Sequence, residues 1–136
     1  MFEVRPEVAQ ELDNELVGWF TTVSPSGRPQ TSAVWFLRVG DDLLIYSQAK
    51  TKKLDNVAGN PRVAFNLRGD PEGDRIVTIE ATASIDRSPT PAHEVPAYLA
   101  KYEGEIRRLG WTPPEFAADY SVQIRLVIDR IRSWED

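Results

Sequence analysis

The stretch "RIVTIEATASI", residues 75 to 85, constrains the fold more than any other part of the sequence. Successive side chains of a β-strand point to opposite sides, so this stretch would place small and apolar residues on one face and polar residues such as Glu80 on the other. Such alternation is typical of an antiparallel sheet that covers a core with one face. The residues on the predicted apolar face are Val77, Ile79, Ala81 and Ala83.

Five other segments have strand character and are separated by short turns that contain glycine, proline, aspartate or asparagine. They are "WFTTV", "TSAVWFLRV", "LLIYS", "RVAFNLR" and "SVQIRLVIDRIRSW", and the first two would form a hairpin through "SPSGRPQ". Helical patterns occur in "RPEVAQELDNEL", after Ser47, and from Thr90 to Tyr120, where "TPPEF" resembles a capping box. The sequence therefore predicts one mostly β domain over residues 1–136, a six-stranded antiparallel closed or split barrel with flanking helices.

Composition and charge exclude several classes of function. A net charge of −5 and a pI near 4.9 argue against a nucleic-acid groove or an anionic membrane as the main partner. The chain has no cysteine and a single histidine, His93, so thiol catalysis has no basis and a metal site is not expected. The apolar runs are too short for a membrane span or a signal core, which makes the cytoplasm the expected location.

Three lysines crowd the beginning of the helix that follows Ser47. Lys50, Lys52 and Lys53 lie where a helix presents unpaired N–H groups and a partial positive charge, so each lysine there costs roughly 0.3 to 1 kcal/mol. One interpretation is a solvated turn with lysines pointing outward. The other is an anion site for a phosphate group, which the polar side chains of Ser47, Gln48 and Thr51 would help to bind.

The strand "TSAVWFLRV", which precedes "LLIYS", suggests what the phosphate could be attached to. Small residues precede an aromatic one here, so a flat ring could lie against the backbone while Trp35 closes its edge. Alternatively, Trp35 and Phe36 are ordinary core residues, and both interpretations can hold because alternation sends the two side chains to opposite faces. The predicted ring-contacting residues are Thr31, Ser32, Ala33, Val34 and Trp35.

Three motifs resemble a known family. They are "TTVSPSGRPQTSAVWF", "YSQAKTKKLDNVAGNPRVAF" and "IEATA", which occur in this order between about residues 16 and 86. Together they are similar to the flavin and deazaflavin oxidoreductases of the pyridoxamine 5'-phosphate oxidase-like split-barrel superfamily, particularly its small members that use coenzyme F420. Two departures are Ala81, where the family usually has glycine, and the acidic turn "GDPEGD".

The resemblance implies a homodimer with two cofactor sites at the subunit interface and a small-molecule substrate. It also implies that Ser47 and Lys53 bind the cofactor phosphate with help from Lys50, and that Asp74 and Arg75 reach the site of the neighbouring subunit. The implied function is transfer of hydride from reduced F420 to an electron-poor small molecule. The alternatives are an FMN-dependent oxidoreductase of the same fold and a protein that binds flavin, deazaflavin or haem without turnover. No catalytic side chain or proton donor is identified by the sequence.

Overall fold

A computed structural model of the protein describes residues 3–134, which form seven strands, four α-helices and one 3-10 turn. The strands are β1 (Gly18–Val23), β2 (Pro29–Val34), β3 (Leu37–Val39), β4 (Asp42–Ser47), β5 (Arg62–Asn66), β6 (Val77–Asp86) and β7 (Val122–Ser133). The helices are α1 (Pro6–Asn14), α2 (Lys52–Gly59), α3 (Pro96–Arg108) and α4 (Pro113–Asp119), and the 3-10 turn spans Ala92–Glu94.

All seven strands belong to one antiparallel sheet in the order β2-β1-β5-β6-β7-β4-β3. The predicted hairpin is confirmed, since β1 and β2 pair from Gly18 with Val34 to Val23 with Pro29. The sheet curls around a core to which its strands contribute alternate side chains. The predicted mostly β architecture with flanking helices is therefore confirmed.

The alternation in β6 determines which face of the sheet is buried. Val77, Ile79 and Ala81 are at most 2% exposed, while Thr78 and Glu80 lie on the outer face. Two helices close this core with apolar residues four or three positions apart: α1 contributes Val8 and Leu12, and α2 contributes Leu54 and Val57. Helix α2 thus begins directly beside the barrel, with its lysines at its first positions.

The sequence prediction of six strands is wrong by one, because the segment expected to run as a single strand through Trp35 is interrupted. Strand β2 ends at Val34 and β3 begins at Leu37. The amide of Phe36 donates a hydrogen bond to Tyr102 Oη at 2.9 Å, and Lys101 Nζ donates to the Phe36 carbonyl oxygen at 3.0 Å. Side chains of α3 therefore bind the amide and the carbonyl oxygen of Phe36, which in a continuous strand would pair with a neighbouring strand.

A second apolar cluster lies outside the barrel, where α3 and α4 cover the outer side of β3 and β4. Pro96 begins α3, and the predicted capping box at α4 is confirmed by bonds in both directions between Thr112 and Glu115. The buried members of the cluster are Leu37, Tyr46, Ala92, Tyr98, Tyr102, Ile106, Phe116 and Ala117. Across residues 3–134, no helix has the length and apolar character to cross a membrane.

Candidate functional site

A pocket of about 360 Å³ lies between the end of β2, the turn after β4, the start of α2 and the helices α3 and α4. One side of it is polar and the other is aromatic or aliphatic, as in many small-molecule sites. Its polar side chains are those of Ser47, Gln48, Thr51 and Lys53. Its helical wall comes from α3, α4 and the positions that adjoin these helices, and consists of Tyr98, Ile106, Leu109, Trp111, Phe116 and Tyr120.

The pocket brings together most of the residues selected from the sequence. The selected residues that line it are Ala33, Val34, Trp35, Ser47, Gln48, Thr51 and Lys53. The selected residues that do not line it are Thr31, Ser32, Lys50 and Arg75. The end of β2 and the start of α2 therefore meet at one site, although β3 and β4 separate them along the chain.

Lys53 differs from the other two lysines at the start of α2. Its side chain is half-buried at the pocket, whereas Lys50 and Lys52 are exposed. Burial lowers the pKa of Lys53 below its ordinary value, and its ammonium forms no hydrogen bond or ion pair within residues 3–134. A partly desolvated cation without an anionic partner is electrostatically unfavourable, and a bound anion would remove that cost.

The turn between β4 and α2 is held by its own side chains. Ser47 is 2% exposed, and its hydroxyl donates to the Gln48 carbonyl oxygen at 2.9 Å while lying 3.1 Å from Thr51 Oγ1. Thr51 occupies the N-cap of α2 without a side-chain capping bond, so the first N–H groups of the helix have no side-chain acceptor from that residue. Gln48 Nε2 donates to Asp119 Oδ2 at 2.6 Å and so connects this turn to the end of α4.

The selected residues outside the pocket have other surroundings. Thr31 lies on the outer face of the sheet, with its hydroxyl 2.8 Å from that of Thr21. The Arg75 guanidinium lies 4.0 Å from the centre of the Trp134 ring and 3.5 Å from a carboxylate oxygen of Glu11. These contacts lie within one protomer, so the role expected of Arg75 in a neighbouring subunit stays a prediction.

Stacked rings build the aromatic side of the pocket. The Trp35 ring lies between those of Tyr102 and Phe116, at centroid distances of 4.8 and 5.4 Å and interplanar angles of 9° and 24°. Phe116 in turn stacks on Tyr120 at 4.6 Å and 11°. Trp35 therefore belongs to the second cluster while Phe36 belongs to the barrel core, as alternation predicted. This stacked column forms the aromatic wall of the pocket, which suits the apolar or aromatic part of a ligand.

Comparison with protein-family models matches residues 4–135 to the pyridoxamine 5'-phosphate oxidase model. The match covers nearly the whole chain. The chain belongs to the pyridoxamine 5'-phosphate oxidase family. The expected split-barrel superfamily is thereby confirmed.

Several solved structures of other proteins are similar to this chain over most of its length. A conserved hypothetical protein from Mycobacterium tuberculosis has 26% identity and a TM-score of 0.78, with 98% of this chain and 86% of that chain covered. An F420 reductase has 27% identity and a TM-score of 0.70, with 95% and 98% covered. The haem storage protein HutZ from Vibrio cholerae has 16% identity and a TM-score of 0.68, with 97% and 95% covered, and shows the fold alone. The search of curated protein sequences gave no significant match.

For this member of the pyridoxamine 5'-phosphate oxidase family, sequence reasoning missed the residues that the helices contribute to the pocket. Tyr98, Tyr102 and Ile106 recur every four positions and are all at most 1% exposed, so the buried stripe of α3 was visible in the sequence. What the sequence did not show is that this stripe packs against Trp35 rather than against the barrel core. Tyr98 is the member of the stripe whose aromatic ring also lines the pocket.

Proposed function

We propose that this protein is an F420-dependent reductase that passes hydride from the reduced deazaflavin to an electron-poor small molecule. The observation that carries the proposal is the half-buried, unpaired ammonium of Lys53 at the edge of an aromatic pocket. A ligand that satisfies both features has an anionic group attached to a flat ring system. A deazaflavin or flavin with its phosphate has that composition, and the 27% identity to an F420 reductase favours the first.

The residues at the polar side fit a phosphate. Lys53 would supply the charge, and the Thr51 hydroxyl and the uncapped N–H groups of α2 would supply donors. The Ser47 hydroxyl would contribute after turning from the Gln48 carbonyl oxygen that it now contacts. The ring would lie along Ala33 to Trp35, while the remaining predicted contacts, Thr31, Ser32, Lys50 and Arg75, would depend on the second subunit.

The chain's own work in such a reaction is binding and orientation. When bound, the reduced coenzyme supplies the hydride, so the protein requires no nucleophile. The aromatic wall would hold a planar acceptor at a fixed position against the ring and exclude water from the reacting atoms. A reaction in which the coenzyme supplies the chemistry and the protein supplies only binding and orientation agrees with a chain that has no cysteine and whose one histidine does not line the pocket.

We also propose that the functional unit is a homodimer. The outer face of the sheet carries apolar side chains that one protomer leaves in solvent, among them Trp19 at 41% and Val127 at 48% exposure. Trp19 pairs directly with Ala33, which lines the pocket, so a subunit covering Trp19 would also border the ligand. Sedimentation analysis of the wild type and of Trp19→Glu tests this: we expect a dimer that the substitution dissociates.

Cofactor titration of two lysine variants tests the proposed function. We expect Lys53→Ala to weaken F420 binding by about 1.5 to 3 kcal/mol, the value of a hydrogen bond to a charged group. Lys52→Ala is the matched control, because Lys52 is the neighbouring residue of α2 with the same charge but is exposed and does not line the pocket. Equal loss of affinity in both variants, or none in Lys53→Ala, would contradict the assignment of the phosphate to Lys53.

The same titration with FMN addresses the alternative cofactor. A flavin phosphate would use the same lysine, so the two cofactors are separated by their dissociation constants and not by the Lys53 variant. Tighter binding of FMN than of F420 would assign the protein to FMN-dependent chemistry. Tight binding with no acceptor-dependent oxidation of reduced cofactor across a broad set of quinones and conjugated ketones would instead favour a binding protein without turnover.

A further inference from the structure

Tyr98 combines deep burial, a position at the pocket and a hydroxyl without a partner. The residue is 1% exposed and lines the pocket, yet its hydroxyl makes no hydrogen bond to any residue from 3 to 134. Its ring is fixed by edge-on contact with Tyr46 at 5.1 Å and by Tyr102 at 4.9 Å. The hydroxyl oxygen is not among the fully enclosed unpaired polar atoms of residues 3–134, so it opens onto the pocket, and the fold gains no hydrogen bond from it.

Two neighbouring buried tyrosines differ from Tyr98 in this respect. Tyr46 Oη donates to the Thr90 carbonyl oxygen at 3.1 Å and accepts from Gln123 at 3.2 Å. Tyr102 Oη donates to the Leu16 carbonyl oxygen at 2.7 Å and accepts from the Phe36 amide. Both hydroxyls therefore have structural partners, while the partner of the Tyr98 hydroxyl must come from the pocket.

We propose that Tyr98 donates a hydrogen bond to a carbonyl oxygen of the small molecule that the pocket receives. The substrate class is then an uncharged, planar compound with a carbonyl conjugated to its ring, such as a quinone. Burial raises the pKa of Tyr98, so the phenol stays protonated and acts as a donor throughout the neutral range. The pocket residues from α3, α4 and the positions that adjoin these helices include no cation for a carboxylate substrate, and the lysine that lines the pocket, Lys53, is assigned to the cofactor phosphate under the proposed function.

This inference rests on the proposed function for its chemical consequence. When a conjugated carbonyl compound gains a hydride at carbon, the electron pair of its double bond moves onto the carbonyl oxygen, and a proton from solvent completes the reduction. The reductant is the reduced coenzyme of the proposed function. The bond from Tyr98 would strengthen as negative charge develops on that oxygen, which is the condition for stabilising the transition state.

Binding of two matched probes, without cofactor, tests the inference. 2-Methyl-1,4-naphthoquinone and 2-methylnaphthalene share a ring skeleton, but only the first has carbonyl oxygens. We expect Tyr98→Phe to reduce the affinity ratio of quinone to hydrocarbon about fivefold, the value of one neutral hydrogen bond. Infrared spectra of the bound quinone provide a second readout, since loss of the hydrogen bond should move its carbonyl band towards that of the unbonded quinone.

Tyr102→Phe is the control, because it removes the same atom from an adjacent ring that does not line the pocket. We expect it to lower Tm while leaving the quinone preference intact. Tyr98→Phe should leave Tm nearly unchanged, since it removes a hydroxyl that makes no hydrogen bond within residues 3–134. An unchanged affinity ratio in Tyr98→Phe, or a fall in Tm as large as that of Tyr102→Phe, would overturn the inference. Because no cofactor is present, these outcomes are independent of the Lys53 titration.

Discussion

A methyl group added at Gly18, a buried residue of β1, should disturb the packing of the barrel core. A Cβ atom at this position would lie 2.0 Å from Phe65 Cζ and 2.4 Å from Phe65 Cε2, well inside van der Waals contact. The Phe65 ring is fully buried and meets Phe36 edge-on at 4.8 Å, so it has little room to move away. Gly18→Ala therefore forces a displacement of a packed aromatic ring.

The size of the effect follows from two opposing contributions. Overpacking of a core costs typically about 1 to 3 kcal/mol, and the severity of this contact favours the upper end. Replacing glycine by alanine also stabilises the fold by about 0.4 to 1 kcal/mol, because it lowers the conformational entropy of the unfolded chain. The expected net loss is about 2 kcal/mol. With an unfolding entropy of about 2.1 cal/mol/K per residue, this corresponds to a fall in Tm of about 7 °C.

Thermal unfolding followed by circular dichroism measures this change against two controls. Gly104→Ala lies within α3 with nothing within 4 Å of the added atom, so it should stabilise by about 1 kcal/mol. Phe65→Leu removes the ring atoms that the new methyl group would meet, so in combination with Gly18→Ala it should recover at least about 1 kcal/mol of coupling energy. A Tm of Gly18→Ala equal to that of the wild type, or a coupling energy near zero, would refute the reasoning.

Two further changes probe the helices and a buried lysine. Thr112→Ala should remove the capping box of α4 at a cost of about 1 kcal/mol, and hydrogen exchange should show faster opening of this helix, with no change in α2. Burial lowers the pKa of Lys101 to about 8, so between that pH and about 10.5 the unfolded chain holds a proton that the folded chain has released. The wild type should therefore gain unfolding free energy relative to Lys101→Met as the pH rises from 8 to 10, and a difference in Tm that is constant with pH would contradict this assignment.

The elements that the sequence predicted are those determined by residues close along the chain. The alternation of β6, the capping box at Thr112 and the lysines at the start of α2 each depend on a window of a few residues. The interruption between β2 and β3 could not be predicted in this way. It depends on Tyr102, whose hydroxyl receives a hydrogen bond from an amide 66 positions earlier in the chain.

The candidate site also has one part that depends on residues close along the chain and another that depends on distant residues. Its polar residues all lie between Ser47 and Lys53, and charge and helix position within this short segment were enough to predict an anion site there. Its aromatic side is assembled from a strand end and two helices that follow much later. The four-residue spacing of Tyr98, Tyr102 and Ile106 is a local pattern, but no local pattern specifies that the hydroxyl of Tyr98 makes no hydrogen bond within residues 3–134.

Strand β4 separates the two apolar clusters and contributes to both. Leu43 and Ile45 pack inside the barrel, whereas Tyr46 packs among the helices. A substitution in this strand would alter the interior of the sheet together with the ligand pocket. Residues at the end of α3 and in the connection to α4, such as Leu109 and Trp111, border the pocket without contributing to the barrel interior. Variation in ligand preference, whether by evolution or by directed mutagenesis, is therefore more easily accommodated in these helices than in the sheet that supports them.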